Sequence, residues 1–379
     1  MKKNPVSIPH TVWYADDIRR GEREAADALG LTLYELMLRA GEAAFQVCRT
    51  AYPDARHWLV LCGHGNNGGD GYVVARLAKA VGIEVTLLAQ ESDKPLPEEA
   101  ALSREAWLNA GGEIHASNTV WPESVDLIVD ALLGTGLQQA PRESISQLID
   151  HANTHPAPIV AVDIPSGLLA ETGATPGAVI NADHTITFIA LKPGLLTGKA
   201  RDVTGQLHFD SLGLDSWLAG QETKIQRFSA EQLSHWLKPR RPTSHKGDHG
   251  RVVIIGGDHG TAGAIRMTGE AALRAGAGLV RVLTRSENIA PLLTARPELM
   301  VHELTMDSLT ESLEWADVLV IGPGLGQQEW GKKALQKVEN FRKPMLWDAD
   351  ALNLLAINPD KRHNRVITPH PGEAARLLG

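Results

Sequence analysis

The chain has 379 residues, 43% of them apolar, and a net charge of −8 at pH 7; this length predicts two or three globular domains. The negative charge argues against general attraction to nucleic acid. The first ten residues lack the apolar core of a secretory signal, and no apolar run approaches the roughly 18 residues that a membrane span needs.

The two cysteines, Cys48 and Cys62, form no metal-binding or redox spacing. Both lie among apolar residues, so we expect buried structural thiols. A reduced, cytoplasmic location is the simplest interpretation.

Strand-like apolar runs alternate with helical patterns through the first half of the chain. Helices are predicted at 15–28, 32–50, 72–81, 97–110 and 142–154, and strands at 58–62, 83–89, 126–130, 158–163 and 184–190. This alternation indicates βαβ units, with a parallel sheet covered by helices.

Residues 58–76 combine a buried strand, a glycine-rich turn and the start of a helix. Glycines let backbone N–H groups approach a ligand, and a helix N-terminus favours an anion, so we expect a phosphate-bearing ligand here. A side chain at Gly69 would then block the ligand, while Asn66, Asn67 and Asp70 supply polar groups. The turn is neither a Walker A loop nor a GxGxxG motif.

Further polar residues follow the later strands, where ligands collect in open parallel sheets. Asp163 and Lys192 form a plausible acid–base pair. Oxygen atoms of Asn67, Asp130 and Ser166 could surround a hard cation. Three simpler interpretations remain: Asp163 as a helix N-cap, Lys192 as a surface lysine and Ser166 as a turn cap.

Charge and proline cluster after residue 216, which predicts a linker at 217–244 between domains at 1–216 and 245–379. The second domain repeats the alternation. Its predicted strands are 251–256, 279–284, 317–321, 344–347 and 365–367, and its predicted helices are 263–275, 287–294, 329–340 and 350–355. The chain stops just after a strand, a loop and a helix start, so we expect a C-terminally truncated domain.

Glycine turns follow two strands of the second domain, at 256–257 and 322–326. Asp348 and Asp350 follow a third strand, and one of them is expected to cap a helix. His370 lies between two prolines and is therefore rigidly presented, although a lone histidine is more often not catalytic.

Several runs of the first domain resemble the NAD(P)H-hydrate epimerase domain; these runs are 36–41, 63–71, 130–136, 162–167 and 191–194. The resemblance implies a Rossmann-like three-layer αβα fold that interconverts the R and S epimers of hydrated nicotinamide cofactors. It implies substrate contacts from Asn66, Asn67, Gly68, Gly69, Asp70, Gly134, Thr135, Gly136, Leu137 and Asp163. It implies potassium binding by Asn67, Asp130 and Ser166. It favours Asp163 and Lys192 as the proton-transferring pair, with their acid and base roles left open.

The second domain resembles the ADP/ATP-dependent NAD(P)H-hydrate dehydratase domain, a ribokinase-like α/β fold; the runs are 245–247, 256–264, 322–326, 348–352 and 368–373. This resemblance implies ADP or ATP as cofactor and substrate contacts from Ala264, Gly324 and His370. The Gly-Thr-Gly-Asp segment of that family should lie after residue 379, so we expect no dehydratase activity from the chain as given.

Together the two resemblances predict a cytoplasmic homo-oligomer that acts on NAD(P)H hydrate, with no nucleic acid or membrane partner. One alternative is an NAD-binding oxidoreductase, although the chain has no GxGxxG followed by an acid about 20 residues on. Another is a non-catalytic binding module on the epimerase fold, since folds outlive functions. A small-molecule kinase is a further alternative for the second domain.

Overall fold

The computed structural model describes residues 8–223 and 225–379. The chain divides into two compact units, Met1–Leu237 and Lys238–Gly379, and this division falls within the predicted linker. Most of the N-terminal segment that we examined for a secretory signal, and one residue of the predicted linker, lie outside the described residues.

The first unit is an α/β structure built on a parallel sheet. Its strands are β1 (Thr11–Val12), β2 (His57–Cys62), β3 (Glu84–Ala89), β4 (His115–Ala116), β5 (Leu127–Ala131), β6 (Ile159–Val162), β7 (His184–Phe188), β8 (Gln206–Asp210) and β9 (Ile225–Gln226). The main sheet has the order β4-β3-β2-β5-β6-β7-β8, and every neighbouring pair in it is parallel. The order reverses between β2 and β5, which is where ligands bind in doubly wound sheets.

Helices cover both faces of this sheet. They are α1 (Ala15–Leu29), α2 (Leu33–Ala51), α3 (Asn66–Ala80), α4 (Glu98–Asn109), α5 (Glu143–Thr154), α6 (Ala200–Val203) and α7 (Asp215–Ala219). All six residues of β2 are buried, and they alternate between two cores. Trp58 and Val60 pack in the core that contains residues of α2 and α3, whereas Leu59 and Leu61 pack in the core that contains residues of α5. This two-sided burial confirms the predicted three-layer αβα fold.

The sequence analysis predicted a turn for the glycine-rich segment, but in the structure this segment forms the first turn of α3. The helix begins at Asn66 with Gly65 as its N-cap, six residues before the predicted start. Glycine costs about 1 kcal/mol in a helix interior, which made the segment look like a loop. Tertiary packing overrides that propensity: a Cβ at Gly71 would lie 2.8 Å from Cys62 Sγ, so only glycine lets α3 approach the sheet this closely.

The second unit repeats the architecture. Its strands are β10 (Arg251–Ile255), β11 (Leu279–Thr284), β12 (Met300–Glu303), β13 (Val318–Ile321), β14 (Met345–Trp347) and β15 (Arg365–Ile367). Its helices are α8 (Ala262–Arg274), α9 (Ile289–Ala295), α10 (Met306–Trp315), α11 (Glu329–Val338), α12 (Asp350–Ile357) and α13 (Pro371–Leu378). The parallel sheet has the order β12-β11-β10-β13-β14-β15, so it also reverses beside its first strand.

The sequence analysis missed β8, β12 and α10, and also the short elements β1, β4, β9, α6 and α7. The strands β8 and β12 lie at a sheet edge and are only partly buried, so their apolar signal is weak. The helix α10 begins after Thr305, whose side chain accepts from Ser308 N at 3.1 Å, and a threonine before a helical run is a start signal that the sequence contained. None of the helices in residues 8–223 and 225–379 has the length and apolar character needed to span a membrane. Cys48 and Cys62 are free, buried thiols, as predicted.

Candidate active site

A cleft of about 670 Å³ opens in the first unit beyond the carboxyl ends of β2, β5 and β6. Its wall includes the start of α3, the loop after β5, one face of α1 and the segments that follow β6 and β7. The cleft therefore lies at the reversal of strand order, the place expected for a ligand.

Asp163 and Lys192 meet on the wall of this cleft. The Lys192 ammonium donates to Asp163 Oδ1 at 2.5 Å, to Thr187 Oγ1 at 2.9 Å and to the Phe188 carbonyl at 2.9 Å. Lys192 is 3% exposed and Asp163 is 17% exposed, so the alternative of a surface lysine is wrong. With three acceptors, the ammonium has a partner for each of its protons. It therefore holds the carboxylate in place.

The backbone at Asp163 is in the left-handed region, with a φ of 66°, and Ile189 and Leu212 on the same cleft have φ values of 66° and 54°. A positive φ is unusual for residues other than glycine, and most unusual for a β-branched residue such as isoleucine. Strain of this kind costs about 1–3 kcal/mol per residue and concentrates at functional sites. The three strained residues therefore mark this part of the cleft wall as a candidate functional region.

Two further carboxyl groups line the cleft, Asp70 on α3 and Glu22 on α1. Burial, followed by the negative charges of Asp163 and Glu22, raises the pKa of Asp70 well above its ordinary value. Burial, followed by the charge of Asp163, raises the pKa of Glu22, and the positive charge of Lys192 opposes this rise. The cleft therefore gathers three carboxyl groups and one ammonium group, and burial favours the protonated forms of Asp70 and Glu22.

The predicted phosphate-binding residues divide into two groups. Asn66, Asn67 and Asp70 line the cleft at the N-terminus of α3. Gly68 and Gly69 are not on its wall. A Cβ at Gly69 would lie 2.6 Å from Met37 Sδ in α2 and 3.0 Å from Ala100 Cα in α4. A side chain here would therefore press on these helices, and the expectation that it would enter the ligand space is wrong. Gly69 is a helix-packing position.

The predicted cation ligands lie around the loop that follows β5. Asp130 is fully buried and accepts from Ser166 Oγ at 2.6 Å, from Ser166 N at 2.8 Å and from Leu132 N at 3.2 Å. Asn67 is buried, and neither its amide oxygen nor its amide nitrogen has a hydrogen-bond partner within the described residues. A Cβ at Gly134 would lie 3.2 Å from Asn67 Cβ, so this loop connects the three predicted ligands.

A hard cation prefers oxygen ligands. This part of the site offers three of them: the unpartnered amide oxygen of Asn67, the carboxylate of Asp130 and the hydroxyl group of Ser166. Burial raises the pKa of Asp130 to about 6, and hydrogen bonds from Ser166 oppose the rise. Within residues 8–223 and 225–379, no group of three or more His, Cys, Asp or Glu side chains could hold a metal ion. The fit is therefore to an oxygen-rich site with one carboxylate, not to a transition metal.

The remaining substrate contacts predicted for the first domain, Gly134, Thr135, Gly136 and Leu137, all line the cleft. The sequence analysis missed helix α1. Ala15, Ile18, Arg19 and Glu22 line the cleft at positions i, i+3, i+4 and i+7, so they share one helix face. The signal was the presence of Arg19 and Glu22 on the same face as an alanine and an isoleucine.

The second unit brings two of its three predicted contacts together. Gly324 has a φ of 60°, and its carbonyl accepts from Asp258 N at 2.6 Å and from Thr261 Oγ1 at 2.9 Å. Ala264 lies in the first turn of α8, and its N–H bonds to the Thr261 carbonyl at 3.1 Å. Both therefore lie where the sheet order reverses, between β10 and β13.

His370 is a helix cap. It follows β15, two strands from β13 and thus about 10 Å away at the usual strand spacing. The ring Nδ1 of His370 accepts from Gly372 N at 3.1 Å, and the backbone N–H of His370 donates to Glu373 Oε2 at 3.0 Å. The ring is 62% exposed. Asp350, which we considered as a cap, lies in the first turn of α12 and accepts from Gly326 N at 2.9 Å.

These features define a doubly wound α/β enzyme whose first unit carries a buried acid–base pair beside a helix N-terminus. Two family models match the chain: YjeF-related protein N-terminus at residues 33–194 and NAD(P)H-hydrate dehydratase at residues 252–379. The chain belongs to the family of bifunctional NAD(P)H-hydrate repair enzymes.

The relatives that show this membership match nearly the whole of this chain and about three quarters of their own length. The bifunctional NAD(P)H-hydrate repair enzyme of Escherichia coli (strain K12) is 98% identical over 100% of this chain and 74% of the relative. The enzyme of the same description from Leishmania braziliensis is 47% identical over 97% of this chain and 72% of the relative. Among solved structures, the ADP/ATP-dependent NAD(P)H-hydrate dehydratase of Bacillus subtilis is 28% identical over 39% of this chain and 54% of its own, with a TM-score of 0.34. The two predicted resemblances are confirmed, and the oxidoreductase alternative is set aside.

Proposed function

We propose that the first unit interconverts the R and S epimers of NAD(P)H hydrate in the cleft, and that Asp163 is its proton-transferring carboxylate. The observation that carries this proposal is the pairing of Asp163 with the buried Lys192 on the cleft wall. All hydrogen bonds to the Asp163 carboxylate from the described residues reach Oδ1, which leaves Oδ2 for a substrate.

The chemistry needs such a group. The hydrated carbon carries a hydroxyl group beside the ring nitrogen, so its configuration inverts when the hydroxyl leaves as water and water returns to the other face. Leaving requires a proton donor, and return requires a base that takes one proton from the incoming water. We assign the base to Asp163. We assign Lys192 the role of orienting that carboxylate, because the ammonium already has three acceptors.

We propose that Asn66, Asn67, Asp70 and the Gly134–Leu137 loop bind the substrate, with the N-terminus of α3 next to its phosphates. Potassium fits the unpartnered Asn67 amide with Asp130 and Ser166, and it would neutralise the buried Asp130 carboxylate when bound. Gly68 and Gly69 support this site by packing α3 and do not line the cleft.

For the second unit we propose ADP- or ATP-dependent dehydration of the same substrate, with Ala264 and Gly324 as contacts at the reversal of strand order. This proposal replaces the expectation of no dehydratase activity, which rested only on where the sequence ends. His370 belongs to this proposal with less support, because its ring nitrogen already caps α13. We further propose a cytoplasmic location, supported by the two free buried thiols, and a homo-oligomer. The boundaries 1–216 and 245–379 remain proposals for the functional domains.

The deciding experiment follows the purified R epimer of NADH hydrate (R-NADHX) by chromatography in the presence of the whole chain. The wild type should produce the S epimer, and Asp163→Asn should slow this conversion by about 100-fold or more. Asparagine tolerates the left-handed backbone but leaves the buried Lys192 ammonium without its carboxylate, so the folded fraction of the variant is measured by urea titration alongside the assay. A parallel reaction with ADP or ATP tests the second unit by the return of NADH. A folded wild type without epimerisation would favour a non-catalytic binding module.

A further inference from the structure

The cleft contains an acid that the motifs of the first unit do not include. Glu22 lies on α1, and this helix precedes the residues matched by the family model, which begin at 33. The helix nevertheless contributes a whole face to the cleft wall. A cleft built only from the matched residues would lack that wall.

Glu22 is positioned for contact with a ligand. It is partly buried on the cleft wall, and no hydrogen bond or ion pair engages its carboxyl group within the described residues. One turn earlier on the same helix face, Arg19 approaches the substrate loop, since a Cβ at Gly136 would lie 3.5 Å from its Nη1. Partly buried polar groups normally have partners, so this carboxyl group is available for one.

Glu22 and Asp163 have different charged neighbours. Asp163 accepts a hydrogen bond from the Lys192 ammonium, whereas no such partner holds the Glu22 carboxyl group within the described residues. Glu22 faces Asp163, Asp70 and Glu99 together with Lys192, and its pKa is raised by burial and by the Asp163 charge. One carboxyl group held by an ammonium and a second, partly buried and unpaired, on the wall of the same cleft form an arrangement that suits one base and one acid.

We propose that Glu22 is the proton donor of the first unit, a catalytic residue supplied by α1 that protonates the departing hydroxyl group of NAD(P)H hydrate. This inference rests on the proposed epimerase function. The C–O bond breaks as the Glu22 proton moves to the hydroxyl oxygen, water leaves, and the ring nitrogen lone pair forms a C=N bond. Water then adds to the other face, the C=N electrons return to nitrogen, and the released proton goes to Asp163. Exchange with solvent in the open cleft returns a proton to Glu22 and removes one from Asp163.

Glu22→Gln, made in the whole chain, tests this role because glutamine keeps the shape of the side chain and cannot donate a carboxyl proton. We expect kcat for R-to-S conversion of NADHX to fall by about 100-fold, with KM within a few-fold of the wild type. In the wild type, the rate should fall at high pH as Glu22 loses its proton. This decline should be absent from the profile of Glu22→Gln, and Glu22→Asp should restore part of the rate. Glu24→Gln is the matched control, because Glu24 is exposed on the same helix.

The outcomes separate the two proposals. A wild type that epimerises while Glu22→Gln retains its kcat and pH profile would overturn the role of Glu22 alone. A loss confined to KM, or a lower kcat with an unchanged pH profile, would also overturn it, because Glu22 would then act in binding or in structure. A folded wild type that does not epimerise would overturn both the epimerase function and this inference.

Discussion

The Lys192 ammonium lies 2.5 Å from Asp163 Oδ1, and the two residues follow neighbouring parallel strands of one sheet. The lysine is almost completely buried, and its ammonium is satisfied by this carboxylate and by two further oxygen acceptors, Thr187 Oγ1 and the Phe188 carbonyl. The pair fixes the position of the Asp163 carboxyl group on the wall of a partly apolar cleft. One variant of the lysine can therefore report both on activity and on stability.

Lys192→Met should reduce both activity and stability. Removing one partner of a buried pair leaves the other charge uncompensated, which costs roughly 3 kcal/mol or more. We expect epimerisation to be lost and the free energy of unfolding, measured by urea titration, to fall by about that amount. Lys199→Met is the control, since Lys199 is 67% exposed and should change neither quantity. Full activity in Lys192→Met would contradict the orienting role.

Gly69→Ser should destabilise the first unit through packing rather than by blocking the ligand. The new side chain would press on Met37 Sδ and on the α4 backbone, and such overpacking costs about 1–3 kcal/mol. Gly65→Ser makes the same change one turn earlier, where nothing lies within 4 Å of the new Cβ. Urea titration should place Gly65→Ser within about 0.5 kcal/mol of the wild type. A Gly69→Ser protein of normal stability but weak substrate affinity would instead support ligand contact at this position.

Potassium should raise the melting temperature of the chain if it binds at Asn67, Asp130 and Ser166, because a ligand that binds only the native state stabilises it. We compare KCl with N-methylglucamine chloride at equal ionic strength. Asn67→Ala should abolish the response and should cost little without potassium, since it removes an unpartnered buried amide. Asn66→Ala is the neighbouring exposed control. An equal melting temperature of the wild type in both salts would argue against the site.

Asp126 should stabilise the first unit in a pH-dependent way. Its Oδ2 accepts from Arg56 N at 2.8 Å and from His57 N at 2.9 Å, and these two backbone bonds lower the pKa of the carboxyl group. A lowered native-state pKa gives stability that is complete above the unfolded-state pKa, near 3.9, and is lost as pH falls through the native-state value.

The matching experiment measures unfolding of Asp126→Asn by urea at several pH values. The loss relative to the wild type should be about 1 kcal/mol at pH 6 and should shrink towards zero at acid pH, the modest size reflecting the exposed carboxylate. Asp54→Asn, at an exposed position in the same unit, should show no such dependence. A pH-independent loss at Asp126 would mean that shape, not charge, matters there.

Much of the fold could be predicted because the sheets are buried on both faces. Strands such as β2 and β5 are continuous apolar runs, and their ends carry the polar residues that the structure places around the cleft. Parallel strands end at one edge, so Asp163 and Lys192 could be paired from sequence order alone. The edge strands β8 and β12 were missed because half-exposed strands carry little apolar signal.

The remaining features depend on contacts that sequence patterns do not encode. Propensity alone would not start α3 at Asn66, since its glycines are justified only by the sheet and helices packed against them. Glu22 was missed because α1 looks like an ordinary amphipathic helix until the cleft is seen. The buried, unpartnered amide of Asn67 likewise becomes visible only when its surroundings are known.

Two requirements restrict which residues can replace Asp163 during evolution: a left-handed backbone and a carboxylate side chain. Glycine and asparagine tolerate that backbone at little cost, aspartate tolerates it and also supplies a carboxylate, and most other residues add strain. In a saturation library, asparagine and glycine at this position would avoid backbone strain but would leave the buried Lys192 ammonium unpaired, so they should lower the cellular abundance of the protein and abolish turnover. Glutamate keeps a carboxylate but adds backbone strain, so it should lower abundance too, and the longer acid is not an equivalent replacement.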